Sequence, residues 1–150
     1  MTERESGLER SVGFVMGVTY RKLSMLLQQR LKPFDITPEQ WSVLVHVARS
    51  DGLIQKEIAE LAGKDKPTTT RILDHLEGKG LIVKQTGEAD RRSFLVHITD
   101  KGKALIERTA PIERGLLQDV KQCMTDEEYD RLLDLLRRIE RHANLLKDRE

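Results

Sequence analysis

Between Leu53 and Gly102 the apolar residues change period once, from the spacing of helices to that of strands, and few folds accommodate this change. Gln55 to Ala62 carries Ile58, Leu61 and Ala62 at helical intervals. Lys66 to Gly78 carries Thr69, Ile72, Leu73 and Leu76 in the same way, with Gly63 in the short connection. Two helices this close, joined through a glycine, predict a helix-turn-helix. Beyond Gly78 the pattern shortens. Leu81-Ile82-Val83 is β-prone, Thr86-Gly87-Glu88-Ala89-Asp90 is a polar turn, and Phe94, Val96 and Ile98 alternate with Leu95 and His97. The stretch therefore predicts a helix pair followed by a hairpin whose tip carries Asp90, Arg91 and Arg92.

A helix-turn-helix backed by such a hairpin is a winged helix. Its second helix fits a major groove and its hairpin reaches the minor groove beside it. If Thr69 faces the core, then Pro67, Thr68, Thr70, Arg71 and His75 point outward with Lys66 at the start. Threonine hydroxyls and an arginine suit phosphates and base edges. Taken alone, these residues also describe an ordinary capped surface helix, and the hairpin behind them is what turns the reading toward DNA. Asp90-Arg91-Arg92 likewise fits a solvated turn, but paired arginines at a loop tip suit a narrow, electronegative minor groove. Lys84 adds a further cation to this expected reading surface.

The run T-R-I-L-D-H-L-E-G-K-G-L from Thr70 to Leu81, then D-R-R at Asp90 to Arg92, then I-T-D-K-G from Ile98 to Gly102, resembles the MarR family of bacterial transcription regulators. The match is densest from Thr68 to Gly102. The resemblance implies a homodimer on a pseudo-palindromic double-stranded DNA operator, and a repressor relieved by a small aromatic or phenolic effector. It implies that Asp90 orients Arg92 into the minor groove, with Arg91 at the variable position. It also suggests Tyr20 and Trp41 as the lining of an effector pocket, although Trp41 reads equally as core of its own helix.

The flanking segments predict helices. Leu8 to Leu31 shows steps of three and four and reads as one long helix ending before Pro33. Thr37-Pro38-Glu39-Gln40 is a capping box opening a helix whose stripe is Trp41, Leu44, Val45 and Ala48. Leu53-Ile54 suits a minimal third strand. Asp65 and Lys66 are alternative caps for the reading helix. Thr99 opens another helix, in which Pro111 and Gly115 predict a kink or break before Leu116. Thr125 with Glu128 opens the last, striped by Tyr129, Leu132, Leu136, Ile139, Ala143 and Leu146.

The expected fold class is thus mainly α with a small β-hairpin wing. Residues 37–102 form the winged helix-turn-helix, while 1–36 and 103–150 form a helical dimerisation layer within one MarR-type domain. Val12 and Val15 from the first helix, with Leu132, Leu136, Ile139, Ala143 and Leu146 from the last, are the expected dimer contacts.

Composition narrows function by exclusion. The net charge of +1 announces no nucleic acid globally, so the basic signal is local to the reading surface. One cysteine, Cys123, precludes an internal disulfide and fits a cytoplasmic protein. The resemblance adds that redox sensors of the MarR family carry their reactive cysteine in the first helix, which has none here, so a buried or indifferent Cys123 is expected. His46, His75, His97 and His142 fall in four separate elements without metal-ligand spacing. No membrane span, phosphate loop or nucleophile elbow is present. The expectation is a protein that is not an enzyme and has no cofactor or metal. A winged helix used only for protein–protein contact is the rival reading, disfavoured by bare arginines at the wing tip.

Overall fold

The computed structural model describes residues 7–86 and 94–149. After a 3-10 turn at Gly7–Arg10 come α1 (Val12–Leu31), α2 (Pro38–Arg49), β1 (Leu53–Ile54), α3 (Gln55–Ala62) and α4 (Lys66–Gly78). Then follow β2 (Ile82–Thr86), β3 (Phe94–Ile98), α5 (Asp100–Lys121) and α6 (Asp126–Asp148). The chain divides into two compact units, Met1–Glu113 and Arg114–Glu150.

The first unit is built on one core, in which Leu31, Val43, Leu44, Val47, Ile58 and Leu73 are fully buried. Ile72, Leu76, Ile82 and Val96 complete it from α4 and the sheet. Thr37 opens α2 as expected. Its hydroxyl accepts the Gln40 N–H at 3.1 Å and the Gln40 carboxamide oxygen accepts the Thr37 N–H at 3.3 Å. The packed face of α2 lies a step away from the expected stripe. Val43, Leu44 and Val47 are buried, while Trp41, Val45 and Ala48 flank them half-buried.

Three corrections concern helix limits and faces. The first helix does not run unbroken from Leu8. Ser11 is extended (φ −81°, ψ 118°) and separates the Gly7–Arg10 turn from α1, as suits a residue type that favours helix starts. α5 does not break at Pro111 but runs continuously through it to Lys121. Proline withdraws a single donor, and the turns on either side keep the ladder going. Leu61, expected in the core stripe of α3, is 54% exposed. In so short a helix the inward face is set by Ile58 with Gln55, Ala59 and Ala62, and Leu61 falls outside it.

The sheet is antiparallel with order β1-β3-β2. Leu53 pairs with Val96 and Ile54 with Leu95, so the expected third strand exists. On the other side Ile82 pairs with Ile98 and Thr86 with Phe94. Asp51 fastens this edge: its carboxylate accepts the Ile98 N–H at 3.1 Å and lies 3.0 Å from His97 Nδ1. The His97 bond, then the Ile98 N–H, holds the Asp51 carboxyl below the usual carboxylate range.

The two sequence motifs at the end of α4 and the start of α5 form one clasp. Gly80 takes the left-handed conformation (φ +73°), so that Leu81 N–H reaches back to Leu76 O at 3.0 Å and ends α4. Thr99 then caps α5 through Gly102 N–H (3.1 Å) while its hydroxyl donates to Gly80 O at 2.7 Å. Thr99 N–H donates to Leu81 O at 3.1 Å, and Lys101 Nζ to Lys79 O at 2.7 Å. Gly102 leaves no room for a side chain: a Cβ there would stand 2.3 Å from Leu81 O and 2.7 Å from Ile98 Cγ1.

In the second unit Thr125 and Glu128 form the expected capping box of α6, with bonds of 2.9 and 3.1 Å. Lys121 pairs with Asp126 at 3.1 Å and lies over the Tyr129 ring. No residue of α6 is buried.

Candidate nucleic-acid interface

Asp65 is the cap of α4. Its carboxylate accepts the Thr68 N–H at 2.8 Å, and this bond holds its pKa below the ordinary range. Pro67 stands in the first turn, where its missing N–H costs nothing. The inward row is Thr69, Ile72, Leu73 and Leu76, all buried. The Thr69 hydroxyl satisfies itself on Asp65 O at 2.8 Å. That leaves Lys66, Pro67, Arg71 and His75 exposed, and Thr68 and Thr70 half-buried.

These side chains are not equally available. The Thr70 hydroxyl donates to Lys66 O at 2.9 Å and accepts a bond from Gln55 Nε2. Its proton is therefore already used, and Gln55 at the first position of α3 joins the surface. Sequence reading missed Gln55. Its place at the start of the first helix of the pair was the available signal, because that end lies beside the outward row of the second. His75 is tied at one nitrogen, with Nδ1 3.3 Å from Gln40 Nε2, so only the rest of its ring faces outward. Arg71 is exposed and remains the strongest donor on the helix.

Lys84 behaves differently from the expectation that it presents a cation to the reading surface. It lies on β2 with its side chain only 16% exposed, pairs with Asp74, and lies 3.9 Å from Glu77. Its ammonium also sits 5.4 Å from the Phe94 ring centroid. Lys84 thus neutralises acids of α4 itself and ties that helix to both strands of the hairpin. Asp90, Arg91 and Arg92 lie outside the described residues.

Trp41 is half-buried, and its indole N–H donates to the Thr109 hydroxyl at 2.8 Å, joining α2 to α5. Tyr20 is exposed on α1. Val12, Val15, Leu132, Ile139 and Leu146 are exposed large apolar side chains, Ala143 is exposed, and Leu136 is half-buried. Cys123 is exposed rather than buried, and its thiol donates to Val120 O. Among the described residues no cluster of His, Cys, Asp and Glu could hold a metal, and no helix is long and apolar enough to cross a membrane.

A capped helix with a polar outward row, set against a three-stranded sheet closed by a hairpin, defines a winged helix-turn-helix. Residues 34–93 match the MarR family, and solved structures extend the likeness over most of the chain. The transcriptional repressor CouR bound to a 23-mer DNA duplex is 28% identical, with a TM-score of 0.81 over 93% of this chain and 99% of that one. A cysteine-to-serine variant of MarR from E. coli complexed with operator DNA is 28% identical, with a TM-score of 0.79 over 85% and 92%. The S. aureus MepR–DNA complex is 25% identical, with a TM-score of 0.80 over 88% and 98%. Over residues 34–93 the chain thus matches the MarR family, and its fold is that of these winged-helix regulators.

Proposed function

We propose that this chain is a cytoplasmic, homodimeric, sequence-specific DNA-binding repressor, relieved by a small-molecule effector. The carrying observation is α4: a helix capped by Asp65 whose exposed row holds Lys66, Pro67 and Arg71. Its amino-terminal end, with the positive pole of the helix dipole, suits a phosphate-lined groove. Arg92, oriented by Asp90, would enter the flanking minor groove, with Arg91 beside it at the variable position. The DNA-bound states of CouR, MarR and MepR support the reading.

The dimer would be built by residues 1–36 and 103–150, leaving 37–102 to read DNA. Val12 and Val15 of α1 would meet a second copy together with Leu132, Leu136, Ile139, Ala143 and Leu146 of α6. A two-fold dimer demands a pseudo-palindromic operator with half-sites about 10 base pairs apart. An effector held near Tyr20 and Trp41 would favour one spacing of the two reading helices over another. Nothing in this reading asks for catalysis.

Selection of bound fragments from random DNA tests the reading, followed by salt titration of the selected site. Arg71→Ala should lower operator affinity. If Arg71 meets a phosphate, the log–log salt slope falls by about one unit and sequence preference persists. If it reads a base, preference relaxes at one position per half-site, at about 1–3 kcal/mol. Selection that returns no enriched sequence overturns the proposal.

A further inference from the structure

A groove of about 350 Å³ lies within the first unit, beside the exit of the reading helix. Its floor is apolar, from Phe34, Leu81 and Leu105, and its rim is basic, from Lys79, Lys101 and Arg108. Asp35 is the one carboxylate in the lining, with its side chain 97% exposed and 3.9 Å from Lys79 Nζ. The rim cations hold donors in reserve. An ammonium has three, and Lys79 spends two, on Asp35 O and on Gln40 Oε1 at 3.1 Å. Lys101 spends one, on Lys79 O. The Arg108 guanidinium lies 5.1 Å from the Phe34 ring centroid and has no carboxylate partner among the described residues.

We propose that this groove binds a phosphate monoester with a small apolar body, and that binding is coupled to the reading helix. The inference rests on the regulator reading for its consequence but not for the site. Three separate cationic groups match the several oxygens of a phosphate better than the two of a carboxylate. The apolar floor has room for one ring-sized substituent.

The coupling runs through named bonds. Lys79 Nζ donates to Gln40, whose Nε2 lies 3.3 Å from His75 Nδ1 on the exposed row of α4. Lys101 closes the exit of that helix by its bond to Lys79 O. A phosphate that draws either ammonium toward the groove competes with these bonds, and so changes how the end of α4 is held. An anion with this differential interaction shifts the equilibrium between two placements of the helix.

Calorimetric titration of the full-length protein with phenyl phosphate, at constant ionic strength and without DNA, reads the site directly. Saturable binding at one per chain is expected. Arg108→Gln and Lys101→Gln should each weaken it about tenfold or more, since each removes a charged donor. Arg108 is exposed and has no carboxylate partner among the described residues, so the melting temperature of Arg108→Gln should hold. Inorganic phosphate should bind more weakly, and equal affinity of the two overturns the ester. Phenyl phosphate should also weaken operator binding, and operator DNA should weaken phenyl phosphate binding by the same factor.

Several results overturn the proposal. Heat that never saturates does so, as does a loss of operator affinity reproduced by sodium chloride at matched ionic strength. Reduced operator affinity of Arg108→Gln with no anion present would assign the groove to DNA backbone instead. A chain that binds the ester but no DNA sinks the regulator reading alone. One that binds its operator but neither anion sinks this inference alone.

Discussion

The winged helix-turn-helix and the carboxy-terminal helix are both amphipathic in sequence, yet they end in opposite states. In the first unit α4 buries Thr69, Ile72, Leu73 and Leu76, and α2 buries Val43, Leu44 and Val47. α6 is longer than either, and no residue of it is buried. Leu132, Leu135, Ile139, Leu145 and Leu146 all stay exposed. A fully buried leucine contributes roughly 1.5–3 kcal/mol, so a helix of this length leaves considerable stabilisation unrealised. The first unit has a buried core, to which Leu31 of α1 contributes with the reading lobe, whereas the apolar face of α6 is left exposed. We propose a second copy of the chain as the occupant of that face.

The double substitution Leu136→Glu with Ile139→Glu breaks this contrast most severely. Unpaired charges on the apolar face of α6 are costly to desolvate, so the protein should sediment as a monomer. Operator affinity should fall by about a hundredfold or more, because two linked half-sites become one. All the DNA-reading residues of 37–102 remain in place. A variant that still sediments as a dimer and binds at full strength would show that α6 serves some other end.

Gly102→Ala attacks the other side of the comparison. The added methyl meets Leu81 O and Ile98, and backbone cannot swing aside as a flexible side chain does. A loss of about 1–3 kcal/mol in a denaturant titration is expected, with the dimer intact until the lobe itself unfolds. An unchanged midpoint would mean that the clasp between α4 and α5 is looser than its hydrogen bonds imply.

The smallest effect is expected from Asp65→Ala, which removes the α4 cap. The Thr68 N–H loses its partner, and Tm should fall by about 2–4 °C at neutral pH. The sign of the pH dependence follows from the lowered pKa of Asp65. Its contribution is complete above the ordinary carboxylate range and is lost as pH falls through the depressed folded value. Melting curves of the parent and the variant should therefore converge in acid and separate toward neutrality. A gap that widens in acid would contradict the cap.

What the sequence disclosed and what it hid divide along one line. The capping boxes at Thr37 and Thr125, the burial of Thr69 and the pairing of Leu53-Ile54 with β3 were all legible. They depend on neighbours within a few residues, or on a period that repeats. Lys84 read as a free cation because its partners Asp74 and Glu77 come from another element. Gln55 was silent for the same reason, its partner Thr70 lying across the turn. Pro111 and Gly115 left a kink or a break open, and only the break is overturned, since the helical turns on either side continue through the proline. Leu61 shows the limit of counting apolar residues in eight-residue helices, where one step of rotation separates core from solvent.

The bond between the indole of Trp41 and the hydroxyl of Thr109 has an optical consequence. Trp41 is the sole tryptophan of the chain, so tryptophan emission from the whole protein comes from one ring lodged between α2 and α5. Its colour and quenching report the solvation of that ring without any label. A rearrangement that parts α5 from α2 would admit water and shift emission to the red. Motions confined to the wing would pass unseen.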